Sequence, residues 1–148
     1  MTVLPKRFDE KKWGRFDVFG KNGFLHIATT DSSIDKIRLK DGEQKNVPYI
    51  TRSESANGIA QFVSEQNYEF GSNEAGCITV GLDTQTAFYQ PHKFVTGQNI
   101  QVVTGNSLNE DTAHFYITVL KNQMDAKFNW GGNGATLSRM KRLEAMLP

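Results

Sequence analysis

Short runs of β-branched and aromatic residues, broken by Gly, Asn, Asp and Ser, dominate the hydrophobic pattern of this chain. Such runs read as strands joined by turns. Phe24-Leu25-His26-Ile27-Ala28 predicts one strand, in which His26 sits among apolar neighbours and reads as a satisfied core histidine. Val47-Pro48-Tyr49-Ile50 predicts a buried strand, and Ile59, Phe62 and Val63 predict its return toward the core. Cys77-Ile78-Thr79-Val80-Gly81 predicts a strong strand, reversed at Asp83–Thr86 and returning as Ala87-Phe88-Tyr89-Gln90. Pro91 ends that pairing because proline has no backbone donor. Ile100-Gln101-Val102-Val103 alternates with the two-residue period of a half-buried strand.

Helical spacing is scarcer. Thr29–Ser33 offers helix N-cap residues, and a short helical turn after them predicts Ile34, Ile37 and Leu39 facing inward. Ser107-Leu108-Asn109-Glu110 matches the S-x-x-E capping box. A helix is predicted from there to about Met124, with Ala113, Tyr116, Ile117 and Leu120 on one face. A last short helix is predicted from near Thr136, with Leu137, Met140 and Leu143 on one side. Trp13, Phe16, Val18 and Phe19 predict an opening strand and its anchors, with Phe16 and Val18 sharing a side.

Between the strands at Val47 and Ile59 lies Thr51-Arg52-Ser53-Glu54-Ser55, five hydrogen-bonding side chains with no apolar one. Asn57-Gly58 follows, the dipeptide that tolerates positive φ at both central turn positions and so predicts a tight hairpin reversal. Most polar tips are ordinary solvated turns, and a rigid hairpin presenting such a tip can also be a recognition element.

At 148 residues the chain is read as one domain, 1–148, long enough for a real core. The formal net charge of +1 conceals an uneven distribution. Residues 1–52 hold 11 basic against 7 acidic residues, residues 53–120 hold Lys93 against 7 acidic ones, and residues 121–148 hold 5 against 2. A basic face built from the two ends of the chain is therefore conceivable, whereas DNA binding by bulk charge alone would need a more basic protein. Lys36, Arg38 and Lys40 put three cations in five residues, suited to phosphate contacts or to an ordinary solvated face.

Most catalytic chemistry is missing from the pattern. There is no Gly-x-Ser-x-Gly elbow and no His-Glu-x-x-His, and His26, His92 and His114 are scattered without ligand spacing. Gly131-Gly132-Asn133-Gly134 lacks the Lys and Ser/Thr of a phosphate loop. Single Cys77 excludes an internal disulfide and fits a reducing compartment, and no apolar run approaches a membrane span of about 20 residues. The expected localisation is cytoplasmic.

The order of elements resembles the target recognition domain of type I restriction–modification DNA specificity subunits, or the related recognition half of type IIG-like systems. Trp13 and Phe16–Phe19 resemble the opening "W…F…lF" segment. Val47-Pro48-Tyr49-Ile50-Thr51-Arg52-Ser53 followed by Asn57-Gly58-Ile59 resembles "iPyIt…nNGi". Ile78-Thr79-Val80-Gly81 and Ala87–Phe94 resemble "Isvg…g.afyq..pF", the 107–124 helix matches the one that follows, and Leu147-Pro148 resembles the closing "LP". One departure is that Ile27-Ala28-Thr29-Thr30 lacks the glycine often found after the first strand.

The resemblance implies an α+β single domain with a curved, mostly antiparallel β-sheet and a few short helices. It implies a non-catalytic reader of one half of a bipartite double-stranded DNA site. Methyltransferase and restriction subunits and a second recognition domain would be partners, and S-adenosylmethionine would be a cofactor of the methyltransferase alone. No counterpart of the family's spacer helix is found in these 148 residues, so the resemblance implies an excised domain or a split half-subunit. Expected DNA contacts are Arg52, Ser53 and Asn57 at the hairpin tip, Gln90, His92 and Lys93 in a second loop, Lys36, Arg38 and Lys40 on phosphate, and Arg139, with Lys141 and Arg142 as weaker candidates. Pro48, Tyr49, Phe88, Tyr89 and Phe94 are assigned to the core or its margin. The competing class is a small β-rich module that binds protein or carbohydrate through its aromatics.

Overall fold

The computed structural model describes residues 14–19, 23–40, 42–66, 73–128, 140–142 and 144–147. The described residues form nine strands, one long helix and two short 3-10 turns. The strands and the helix are β1 (Gly14–Asp17), β2 (His26–Thr29), β3 (Val47–Ile50), β4 (Ile59–Val63), β5 (Cys77–Gly81), β6 (Thr86–Gln90), β7 (Val95–Thr96), β8 (Ile100–Thr104), α1 (Glu110–Phe128) and β9 (Glu144–Leu147). The α+β class with mostly antiparallel pairing holds. The pairing, however, is divided among three sheets: β2-β8-β5-β6, β4-β3-β7 and the ribbon β1-β9. Among the described strand pairs only β3 and β7 run parallel, and an isolated parallel bridge joins Phe19 to Leu25.

The four-stranded sheet is the centre. One face carries Ile27, Ile78, Val80 and Val103, which pack with Leu120 and Met124 of α1. The other face carries Cys77 and Val102, which meet Ile50 and Phe94 from the three-stranded side. Both faces are therefore covered. This is why β5 is buried at every position and why β8 does not show the alternation of a half-buried strand: Ile100 through Val103 are all buried. Burial raises the pKa of the Cys77 thiol, with Glu74 and Asp31 adding to the effect.

Several local expectations change. His26 is exposed on the edge strand β2, so it is not a core histidine. Val18 and Phe19 are both buried, at 1% and 2% exposure, where a strict strand alternation would hide only one. The helix at 110 is capped by Asn109, not Ser107. Its Oδ1 accepts from the backbone N–H groups of Asp111 and Thr112, and Thr112 Oγ1 accepts from Asn109 N–H in return. The segment after Met140 ends in strand β9, paired with β1 from Gly14↔Leu147 to Asp17↔Glu144, where a helix was expected to continue. Trp13, the Gly131–Gly134 loop and the start of a helix at Thr136 lie outside the described residues.

Candidate nucleic-acid interface

The loop between β3 and β4 is longer than a two-residue hairpin. Residues 51–58 form it, and its end is a left-handed turn with φ of 52° at Ala56, 58° at Asn57 and 77° at Gly58. Asn57-Gly58 does supply positive φ, but as the last part of an eight-residue loop closed by the Thr51 N–H to Gly58 carbonyl bond. Gly58 is required twice over. Its φ suits glycine, and a Cβ there would lie 3.2 Å from Phe88 and 3.3 Å from Ile50.

This loop is bolted to the edge strand β6. Asn57 Nδ2 donates to the Tyr89 carbonyl at 2.9 Å, and Gln90 Nε2 donates to the Asn57 carbonyl at 2.9 Å. Gln90 Nε2 also donates to Thr79 Oγ1 at 3.1 Å. Gln90 is only 2% exposed, so its amide is consumed inside the protein. The structure thus gives Gln90 and the Asn57 amide a supporting role, holding the loop that carries Arg52. Ser53 is half-buried and bonds locally: its Oγ accepts from Ser55 N–H at 3.3 Å, a turn within the tip.

Arg52 is different. Its guanidinium is half-exposed and donates from Nη1 to Asp83 Oδ2 at 2.6 Å. Asp83 belongs to the β5–β6 turn, 31 residues away in sequence. Beside Arg52 lies a cleft of about 190 Å³ lined by Ile34, Asp35, Lys36, Tyr49, Thr51, Arg52, Gly97 and Gln98. Lys36 and Arg52 are thereby brought to one place from two separate loops.

The loop bearing Lys36 is firmly tied down. Ile34 N–H donates to the Thr96 carbonyl and Tyr49 Oη to the Ile34 carbonyl, at 2.8 and 2.6 Å. Burial, helped by Asp35, raises the pKa of the Tyr49 hydroxyl, so it stays a donor. Beneath it Thr30, Ser32, Asn73 and Thr96 form a buried hydroxyl–amide network, with Ser32 Oγ donating to Asn73 Oδ1 at 2.7 Å and Thr96 Oγ1 to Thr30 Oγ1 at 2.8 Å. The expected helical turn is a single 3-10 turn, Lys36–Arg38, none of it buried. Ile34 is buried as predicted and Leu39 partly so, but Ile37 is 94% exposed.

The remaining candidates gather elsewhere or stand apart. Lys93 pairs with Glu65 at 3.2 Å, and the Lys40 backbone exchanges two bonds with the Gln66 amide, so these two cations flank the segment after β4. Arg38 is exposed and makes interactions of its own. His92 is exposed just after β6. Lys141 and Arg142 are exposed; Arg139 lies outside the described residues. Sequence reasoning missed Asp83, Gln98 and the Thr30–Asn73 network, because no local pattern links residues so far apart. Among the described residues no group of three His, Cys, Asp or Glu is arranged to hold a metal, and no helix is long and apolar enough to cross a membrane.

Comparison with known proteins places this architecture. The family described as "Type I restriction modification DNA specificity domain" matches residues 16–148. The specificity subunit S.BcgI of a Type II restriction enzyme from Heyndrickxia coagulans is 29% identical over 140 residues, covering 92% of this chain and 38% of that protein. The S subunit of a type I restriction–modification system from M. genitalium superposes with a TM-score of 0.64 at 14% identity, over 99% of this chain and 37% of that one. A chain from a structural study of type I R-M complex assembly and conformational transition gives 0.62 at 12% identity, over 99% and 35%. The chain thus spans little more than a third of each relative's length. With matching order of elements, a family match over nearly its whole length and the fold of S subunits, this chain belongs to the type I restriction–modification DNA specificity domain family.

Proposed function

We propose that this domain reads one half of a bipartite double-stranded DNA site on behalf of a restriction–modification complex, and catalyses nothing itself. Methyl transfer and cleavage fall to partner subunits, with S-adenosylmethionine bound by the methyltransferase, and a second recognition domain reads the other half. The work is cytoplasmic, where the DNA is. The observation that carries this reading is the meeting of Arg52 and Lys36 at one cleft on two anchored loops.

Magnitudes favour Arg52 as a base reader. An exposed ion pair such as Arg52–Asp83 is worth roughly 0.2–1 kcal/mol. A bidentate Arg contact to guanine O6 and N7 in the major groove is worth roughly 1–3 kcal/mol of discrimination. Arg52 can therefore leave Asp83 for a base, or keep it and present its other edge, at a net gain. Lys36, Arg38, Lys40 and Lys93 set register on phosphate.

Fluorescence anisotropy on a duplex selected from a random pool tests the assignment. Arg52→Ala should weaken binding to that duplex about 5- to 150-fold and weaken random duplexes much less. Equal loss on both makes Arg52 a phosphate contact only, and no loss removes it from the interface. A Lys36/Arg38/Lys40 triple alanine change should flatten the salt dependence.

A further inference from the structure

Ile37 is the most exposed large apolar side chain among the described residues. It is 94% exposed, while Ile34 before it is fully buried and Leu39 after it packs on the small core of Val47, Tyr49, Val63 and Val95. Single exposed apolar residues are common on protein surfaces. This one, however, cannot be hidden by a small rotation. The 3-10 turn beneath it is closed by Arg38 N–H to the Asp35 carbonyl at 2.8 Å and Leu39 N–H to the Lys36 carbonyl at 3.3 Å. Its ends are fixed by Ile34 N–H to the Thr96 carbonyl and by Lys40 N–H to Gln66 Oε1 at 2.9 Å. The turn thus holds a stiff β-branched side chain outward, between Lys36 and Arg38 and beside the cleft that Arg52 lines.

We propose that Ile37 makes an apolar contact with the C5-methyl group of a thymine in the major groove, with Lys36 and Arg38 supplying the phosphate attraction on either side. The proposal rests on the DNA-reading function above. Its chemistry is specific: the thymine methyl is the one apolar group among the base edges of the major groove. A polyanion is the partner that tolerates two adjacent cations around an apolar tip, and burying the tip against a methyl removes apolar surface of both from water.

The test uses the full chain and a selected duplex in which each thymine is replaced in turn by deoxyuridine, which deletes only the methyl group. One replacement should weaken wild-type binding about three- to fivefold. Ile37→Ser should weaken binding to the parent duplex by a similar factor and should no longer respond to that replacement. Its thermal midpoint should match wild type, because the side chain it loses is exposed. The proposal is overturned if Ile37→Ser binds like wild type, or binds less well with its thymine dependence intact. If Arg52→Ala still loses binding in that case, DNA reading stands without the methyl contact. If neither variant alters binding to the selected duplex, both readings fall together.

Discussion

Replacing Gln90 with leucine separates support from contact. Gln90 is 2% exposed and donates from Nε2 to the Asn57 carbonyl and to Thr79 Oγ1. Its Oε1 accepts a longer bond from Asn57 Nδ2 at 3.4 Å. Leucine is of similar size and apolar, so no cavity forms. Two well-formed bonds are lost, at about 1 kcal/mol each, and part of the desolvation cost of leaving the Asn57 carbonyl unpaired is added. The expected loss is about 2–3 kcal/mol. For a domain of this length that lowers the thermal midpoint by roughly 4–12 °C. Loop 51–58 keeps the Asn57 Nδ2 bond to Tyr89 and the Thr51–Gly58 closure, so it should loosen without detaching. Denaturant unfolding gives the stability, and amide exchange at Ala56–Gly58 reports the loosening. DNA affinity should fall only in step with that lost protection. A Gln90→Leu protein of wild-type stability and exchange that nevertheless binds DNA far less well would refute the reasoning and return Gln90 to the interface.

Two further predictions follow from backbone and burial. Gly58→Ala should destabilise by about 1–2 kcal/mol from its positive φ alone, and more as the Cβ presses on Phe88 and Ile50, whereas Ala56→Gly at φ 52° should stabilise by up to about 1 kcal/mol; urea midpoints of the two variants should move in opposite directions. Tyr49 has a folded-state pKa raised above the ordinary 10.0 by burial and then by Asp35, so its contribution is fully present below pH 10.0 and is lost as pH rises through the raised value. Tyr49→Phe should be about 1 kcal/mol less stable at neutral pH, from the lost bond to the Ile34 carbonyl, and should lose less stability than wild type between neutrality and strongly alkaline pH; parallel loss in both proteins would contradict that assignment.

The strands were the most legible part of the chain. Cys77–Gly81 and Thr86–Gln90 announce themselves through β-branched residues, a polar reversal and a terminal proline. Their partition into three sheets was not legible, because it depends on pairings such as β1 with β9 across almost the whole chain. Ile37 was misplaced because 3.6-residue spacing puts it with Ile34, while the observed segment has one 3-10 turn and Ile34 sits outside it. Ser107 and Asn109 are both capping types; Asn109 takes the cap, while Ser107 Oγ bonds with Tyr116 Oη. At the candidate interface, Arg52 and Lys36 were readable as cations in polar loops, but their shared cleft was not. Gln90 has the chemistry of a base reader, and its withdrawal into the fold rests on a carbonyl 33 residues away. Arg52–Asp83 and Lys93–Glu65 are tertiary pairings of the same kind, invisible to any local window.

The most direct test of the central claim is methylated-motif mapping in cells that express a specificity subunit carrying this domain as one recognition half, together with its methyltransferase. The account predicts a bipartite methylated motif, one half of which loses a guanine requirement or disappears with Arg52→Ala while the other half is unchanged. A motif whose two halves are both indifferent to exchanging this domain for a different recognition domain would contradict it.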